Sequence, residues 1–203
     1  IVDGMSLSGV SDFSSYAFSK DETKILLATE VESIFRRSTL GIYYVYDVFS
    51  KKTVRISDKK IQEPTLSPDG SNVAYVLNNN LYAFELKSQI TEQITTDGEK
   101  NKIINGVTDW VYEEEFSIVR TYEWSPDGAK IAFLRFDESQ VPEFSMEIYD
   151  HTLYPQEDTF KYPKAGENKS VVTLDLVEKK KKKINEVDVG NPYYIPRIKW
   201  KNN

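Results

Sequence analysis

Most of the chain alternates apolar and polar residues over four to eight positions, with Val, Ile, Thr, Tyr and Phe enriched. That is the period-2 signature of half-buried strands. Gly and Pro fall mainly between these runs, where turns need them. No long stretch keeps the 3.6-residue period of a helix. The longest apolar runs, Ile42–Tyr46 and Val73–Leu77, are five residues each, too short for a membrane span.

The pattern repeats. Leu66–Tyr75 (LSPDGSNVAY) matches Trp124–Phe133 (WSPDGAKIAF), and Phe18–Leu27 (FSKDETKILL) is a weaker copy. A fourth copy opens at Trp200. Each of the three is followed by an apolar-acidic-apolar triplet: Tyr46-Asp47-Val48, Phe84-Glu85-Leu86 and Leu174-Asp175-Leu176. Pro presets φ and Asp-Gly closes a tight turn between two strands. A four-stranded unit of this kind cannot bury both of its own faces, so it must stack on neighbours. The expected fold is therefore all-β, part of a β-propeller of four-stranded antiparallel blades. A β-sandwich with three similar hairpins is the alternative. Residues 1–203 read as one partial propeller domain, cut from a longer protein. Ile1 is not Met, and Trp200-Lys201-Asn202-Asn203 stop where a strand begins.

Two insertions break the period, at about 102–122 and about 137–166. The first holds Asn105-Gly-Val-Thr-Asp-Trp-Val-Tyr-Glu-Glu-Glu-Phe116. Thr108 or Asp109 can cap a helix, and acidic residues in its first turns suit the helix dipole. A short acidic helix is expected there, pinned by Trp110 and Phe116. Glu113, Glu114 and Glu115 cannot share one face, since neighbours on a helix differ by about 100°. Adjacent carboxylates resist joint ionisation, and a bound cation relieves that. A primary ammonium, with three donors, suits two or three carboxylates. Two other readings stand beside it: a solvated helix start, and a calcium site, which would need six to eight oxygens.

Composition narrows the chemistry. The chain has 26 basic and 32 acidic residues, a net charge of −6, which gives no broad footprint for nucleic acid. It has no cysteine and one histidine, which removes disulfides, thiolate metal sites and His-rich zinc sites. His151 reads as a surface residue rather than a catalytic base. The run Lys179–Lys183 reads as a solvated hairpin tip. No Gly-x-Ser-x-Gly elbow and no Gly-rich phosphate loop occur. No metal and no cofactor is expected, and no residue of this chain is expected to be catalytic.

Asp109-Trp-Val-Tyr-Glu-Glu-Glu-Phe116 resembles the propeller signature of the dipeptidyl peptidase IV family, within the prolyl oligopeptidase-like serine peptidases. Tyr162-Pro-Lys-Ala-Gly166 is similar to a second family string. Asp137–Pro142 agrees in order, and Phe35-Arg36-Arg37-Ser38 followed by Tyr43–Asp47 looks like a bacterial member.

The resemblance implies an eight-bladed propeller followed by an α/β-hydrolase domain with a Ser-Asp-His triad. It implies removal of dipeptides from peptides with a free N-terminus and Pro or Ala second. It places the substrate amine on Glu114 and Glu115, with Glu113 in support. The insertion about 137–166 corresponds to an arm used in homodimer contacts, where Tyr149, Leu153 and Tyr154 would supply apolar area. Bacterial relatives are generally exported to the periplasm or cell envelope. The family also sets an Arg near the substrate carbonyl. The stretch expected to carry it, Ser57–Pro64, contains Lys59 and Lys60 but no Arg.

This stretch is expected to be inactive by itself, with an amine anchor and no nucleophile. A non-enzymatic propeller scaffold or a pseudo-peptidase is the alternative, and it predicts no dependence on Glu114 or Glu115.

Overall fold

The computed structural model describes residues 7, 10, 12–149, 151–179, 181 and 183–201. The first sheet runs β1 (Ser15–Phe18), β2 (Lys24–Ser33), β3 (Thr39–Asp47) and β4 (Thr53–Arg55), each strand antiparallel to the next. The second repeats the order with β5 (Gln62–Leu66), β6 (Asn72–Leu77), β7 (Asn80–Glu85) and β8 (Ile90–Gln93).

The third sheet is the same unit with two interruptions. Its first strand is split into β9 (Ile103–Asn105) and β10 (Tyr122–Trp124), both paired to β11 (Lys130–Asp137). Helix α1 (Trp110–Phe116) lies in the gap. A separate hairpin, β12 (Glu143–Ile148) with β13 (Gln156–Lys161), leaves between β11 and β14 (Val171–Glu178). β15 (Lys183–Val187) completes the sheet. This is the expected blade pattern, with α1 and the β12–β13 hairpin as its two interruptions. Within the lysine run, Lys179 and Lys181 lie in the β14–β15 turn; Lys181 is exposed as expected, whereas Lys179 is half-buried and donates to Asn72 Oδ1 at 2.5 Å. Lys180 and Lys182 of that run lie outside the described residues, as do Asn202 and Asn203 of the fourth copy.

Strand β6 shows why the blades stack. Its side chains point alternately to opposite faces. Val73 and Tyr75 enter a core with Leu26 and Val45 of the first blade and Ile56 and Ile61 of the link that follows it. Ala74 and Val76 enter the core of the third, with Ile131, Phe133 and Phe136. Both faces are covered, so the strand is a continuous apolar run rather than an alternating one. The outer strand β1 keeps Tyr16 and Phe18 exposed, and β15 keeps Ile184 and Val187 exposed.

The three repeat turns share one hydrogen-bond scheme. Ser19, Ser67 and Ser125 donate to Asp21, Asp69 and Asp127, each at 2.6 Å. Each serine oxygen then accepts the N–H of Lys24, Asn72 or Lys130 at 2.9 Å. The Ser19 hydroxyl, followed by the Thr23 N–H, pulls the Asp21 carboxyl down to about 2. The weak first copy therefore folds as the strong ones do, with one cost. Gly70 and Gly128 take φ +66° and +69°, and Glu22 takes φ +58° in their place. A side chain in that region is strained by about 1–2 kcal/mol. Glu22→Gly is expected to stabilise the chain by about 0.5–1 kcal/mol in urea unfolding, after the extra unfolded-state entropy of glycine. A loss of stability would show that the Glu22 side chain holds the turn.

Candidate functional site

The insertion that carries α1 is closed at its base. Thr121 N–H donates to Gly106 C=O at 2.9 Å, and Thr108 N–H donates to Val119 C=O at 3.0 Å. Asp109, not Thr108, caps the helix: its carboxylate accepts the Tyr112 N–H at 2.9 Å. The same carboxylate accepts the Ser170 hydroxyl at 2.5 Å, which ties the helix start to the chain beyond the arm. Burial pushes the Asp109 carboxyl up, against the pull of these donors and Lys169.

Trp110 and Phe116 are half-buried; Phe116 packs on the third blade's core as expected, whereas Trp110 packs on the arm. Trp110 meets Tyr162 with ring centroids 4.4 Å apart. The deepest anchor is Tyr112, which sequence reasoning missed. It lies in the core edge-on to Phe116, Phe136 and Tyr194, and its hydroxyl accepts the Ile195 N–H at 2.9 Å. Burial pushes that hydroxyl up to about 12.

With Tyr112 inward, the three glutamates separate. Glu113 is buried, 2% exposed. One of its oxygens, Oε1, accepts the backbone N–H of Arg37 at 2.7 Å and of Ser38 at 2.9 Å. Glu114 is half-buried and pairs with Arg36, whose Nε stands 3.0 Å from Oε2. Glu115 is exposed. Its charge reaches Tyr194, whose hydroxyl is pushed up by burial first and then by Tyr193, Asp109 and Glu115.

Arg36 is the second residue that sequence reasoning missed. It lies in the turn between β2 and β3 of the first blade and crosses to the helix of the third. The stretch 57–64, read as the counterpart of the family's Arg-bearing loop, has no Arg to fill that role; its Lys60 pairs with Glu32 at 2.5 Å. The signal for Arg36 was present in Phe35–Ser38, a string already matched to the family.

The Arg36 side chain is 71% exposed and that of Glu114 is 17% exposed. Arg36 stays largely in solvent, which screens its side of the pair, so its withdrawal from Glu114 in favour of another cation costs it little hydration. Glu114 is thus an accessible carboxylate with a solvent-exposed resident partner, beside a second carboxylate on the next residue. That arrangement can bind a primary ammonium. Among the described residues no cluster of three or more His, Cys, Asp or Glu could hold a metal ion.

The arm hairpin is exposed along β12, and Tyr149, Leu153 and Tyr154 are exposed beyond it. Its base is tied to the site by rings: Phe160 to Phe35 at 5.7 Å and Tyr162 to Trp110 at 4.4 Å. His151 is an exposed arm residue.

The dipeptidyl peptidase IV (DPP IV) N-terminal region model matches residues 19–203. This chain belongs to that family. Among solved structures, it is 41% identical to Porphyromonas gingivalis dipeptidyl peptidase 4, with a TM-score of 0.87 over 93% of this chain and 28% of that one. Among curated relatives it is 34% identical to human prolyl endopeptidase FAP, over 81% of this chain and 22% of that protein. It is also 34% identical to a probable dipeptidyl-aminopeptidase B of Neurospora crassa, over 86% of this chain and 21% of that protein. The chain thus spans between 21% and 28% of these relatives. The three sheets are blades of the DPP IV-type propeller, and no helix among the described residues is long and apolar enough to cross a membrane.

Proposed function

We propose that this chain is propeller from a dipeptidyl peptidase IV-like serine peptidase and that it anchors the free amine of a peptide substrate. Glu114 and Glu115 accept the ammonium, which fixes the peptide end and so sets the length of the released fragment at two residues. Arg36 leaves Glu114 for the substrate's first carbonyl, whose oxygen accepts from its guanidinium fork. The substrates are peptides with Pro or Ala second. The nucleophile, in a Gly-x-Ser-x-Gly elbow of a hydrolase domain, belongs to the rest of the protein, and this stretch alone releases no dipeptide. The arm, through Tyr149, Leu153 and Tyr154, pairs two copies, and the protein works outside the cytoplasm.

The observation that supports this reading is the pair Glu114 and Arg36. A half-buried carboxylate, on a helix fixed at both ends, is paired with a solvent-exposed cation from another blade.

The test uses the full-length protein and a chromogenic Gly-Pro amide, with its amine free or acylated. Only the free form is expected to react. Glu114→Ala and Glu115→Ala are each expected to lower kcat/KM by about 30-fold or more, roughly 2 kcal/mol for a lost charged hydrogen bond. Equal cleavage of the acylated form would overturn the amine anchor. Full activity in both variants would make the glutamates structural.

A further inference from the structure

We propose that Glu113 is a positioning residue: its buried carboxylate sets the β2–β3 turn of the first blade so that Arg36 stands at Glu114. This rests on the amine-site reading above and assigns Glu113 a task that is not amine binding.

A buried carboxylate is costly unless its oxygens are paired. Glu113 meets that cost with two backbone N–H groups from another blade, those of Arg37 and Ser38. They follow Arg36 directly in the chain, so the position of one oxygen fixes where the Arg36 side chain departs. Glu113 is 2% exposed and its Oε1 already has two donors, so that oxygen has no place for a substrate ammonium.

The turn is tight in itself, with Ile34 N–H donating to Ser38 C=O at 2.9 Å. Two further contacts hold it from its sides. The Arg37 guanidinium donates to Ser117 Oγ at 2.9 Å, at the end of α1. Phe35 meets Phe160 of the arm. With its neighbours on both sides committed, Arg36 is left to reach Glu114. The helix geometry demands the division of labour. Glu113 and Glu114 point about 100° apart, so one faces the turn's backbone while the other faces its side chain.

Two variants of the full-length protein separate reach from charge. Glu113→Gln keeps an oxygen at the same distance and removes the charge. Glu113→Asp keeps the charge and withdraws the oxygen by one methylene. Glu113→Gln is expected to stay within threefold of wild type in KM for the free Gly-Pro amide. Glu113→Asp is expected to raise KM about tenfold with kcat within threefold. Arg36→Ala is expected to raise KM similarly, and adding Glu113→Asp to it to change KM by less than threefold more, because both act through one group. A Gln variant as impaired as a charge-binding role demands, or KM effects that multiply, would overturn the proposal.

Hydrogen exchange gives a reading independent of activity. The Arg37 and Ser38 amides are expected to exchange at least tenfold faster in Glu113→Asp than in wild type. Unchanged exchange would overturn the strut. If acylated substrate were cleaved equally, the amine reading would fall while the exchange result still decided the role of Glu113.

Discussion

Gly98→Ala is expected to destabilise the chain by about 3–5 kcal/mol. A Cβ at this position would stand 2.3 Å from the Asn79 carbonyl oxygen and 2.7 Å from Asn80 Cγ. The obstacle is backbone, which cannot turn aside as a side-chain tip can. The Asn79 oxygen is also engaged: it accepts the Asn105 backbone N–H at 3.0 Å and the Asn105 side-chain amide at 3.2 Å. Asn105 is wholly buried and also donates to Asp97 at 2.9 Å. Asp97 in turn accepts from Arg135 at 2.7 Å. Pushing Asn79 away therefore adds unpaired buried donors to an overpacking cost. Overpacking costs about 1–3 kcal/mol and an unsatisfied buried donor about 1–3 kcal/mol. The midpoint of urea unfolding, at unchanged slope, measures the sum. A loss under about 1 kcal/mol would mean that the loop around Gly98 gives way freely.

Glu138→Gln is expected to stabilise the chain at pH 8 by about 2–3 kcal/mol and to have little effect at pH 4. Glu138 is 5% exposed. Burial, then the charge of Asp109, raises its carboxyl from 4.5 to about 7; Asp137 adds to this and Lys161 opposes it. Between pH 4.5 and 7 the folded chain holds a proton that the unfolded chain has released. Stability therefore falls as pH rises through that window, by up to about 1.4 kcal/mol per unit. Glutamine cannot ionise, so the variant loses this slope. Asp109 is raised in the same direction and leaves a residual slope in the variant. Asp21 and Asp127, pulled down by their serine hydroxyls, act in the opposite sense, and their effect is complete below the window. Urea unfolding of both proteins from pH 4 to 8 checks this. Parallel stability curves would show that Glu138 is ionised throughout.

Glu138 lies two elements away from α1 in the chain, yet the charge that acts on it most is that of the helix cap, Asp109. Nothing in Asp137–Pro142 marks it as buried, because adjacent acidic residues between a strand and a turn read as solvated. Tyr112 was obscured for a similar reason. Within Trp110–Phe116 three aromatic residues compete for the inward face, and a seven-residue helix is too short for its period to choose among them.

What the sequence determined by itself is the local and the periodic. The Ser-x-Asp turns, the four-strand unit and its repetition all follow from residues within a few positions of one another. So does the short helix, since its cap, its acid-rich turn and its apolar ends are contiguous. The two insertions were visible as breaks in the period, and the three glutamates as a charge cluster on that helix.

What only the tertiary structure decided is how those glutamates divide their work. Arg36 and Glu114 are 78 residues apart, and Arg37 and Glu113 are 76 apart. Their meeting depends on one blade's turn reaching across to the helix of another. No pattern in either segment encodes that distance. It is set by the stacking of whole sheets, because the cores on the two faces of β6 fix where the first and third blades stand.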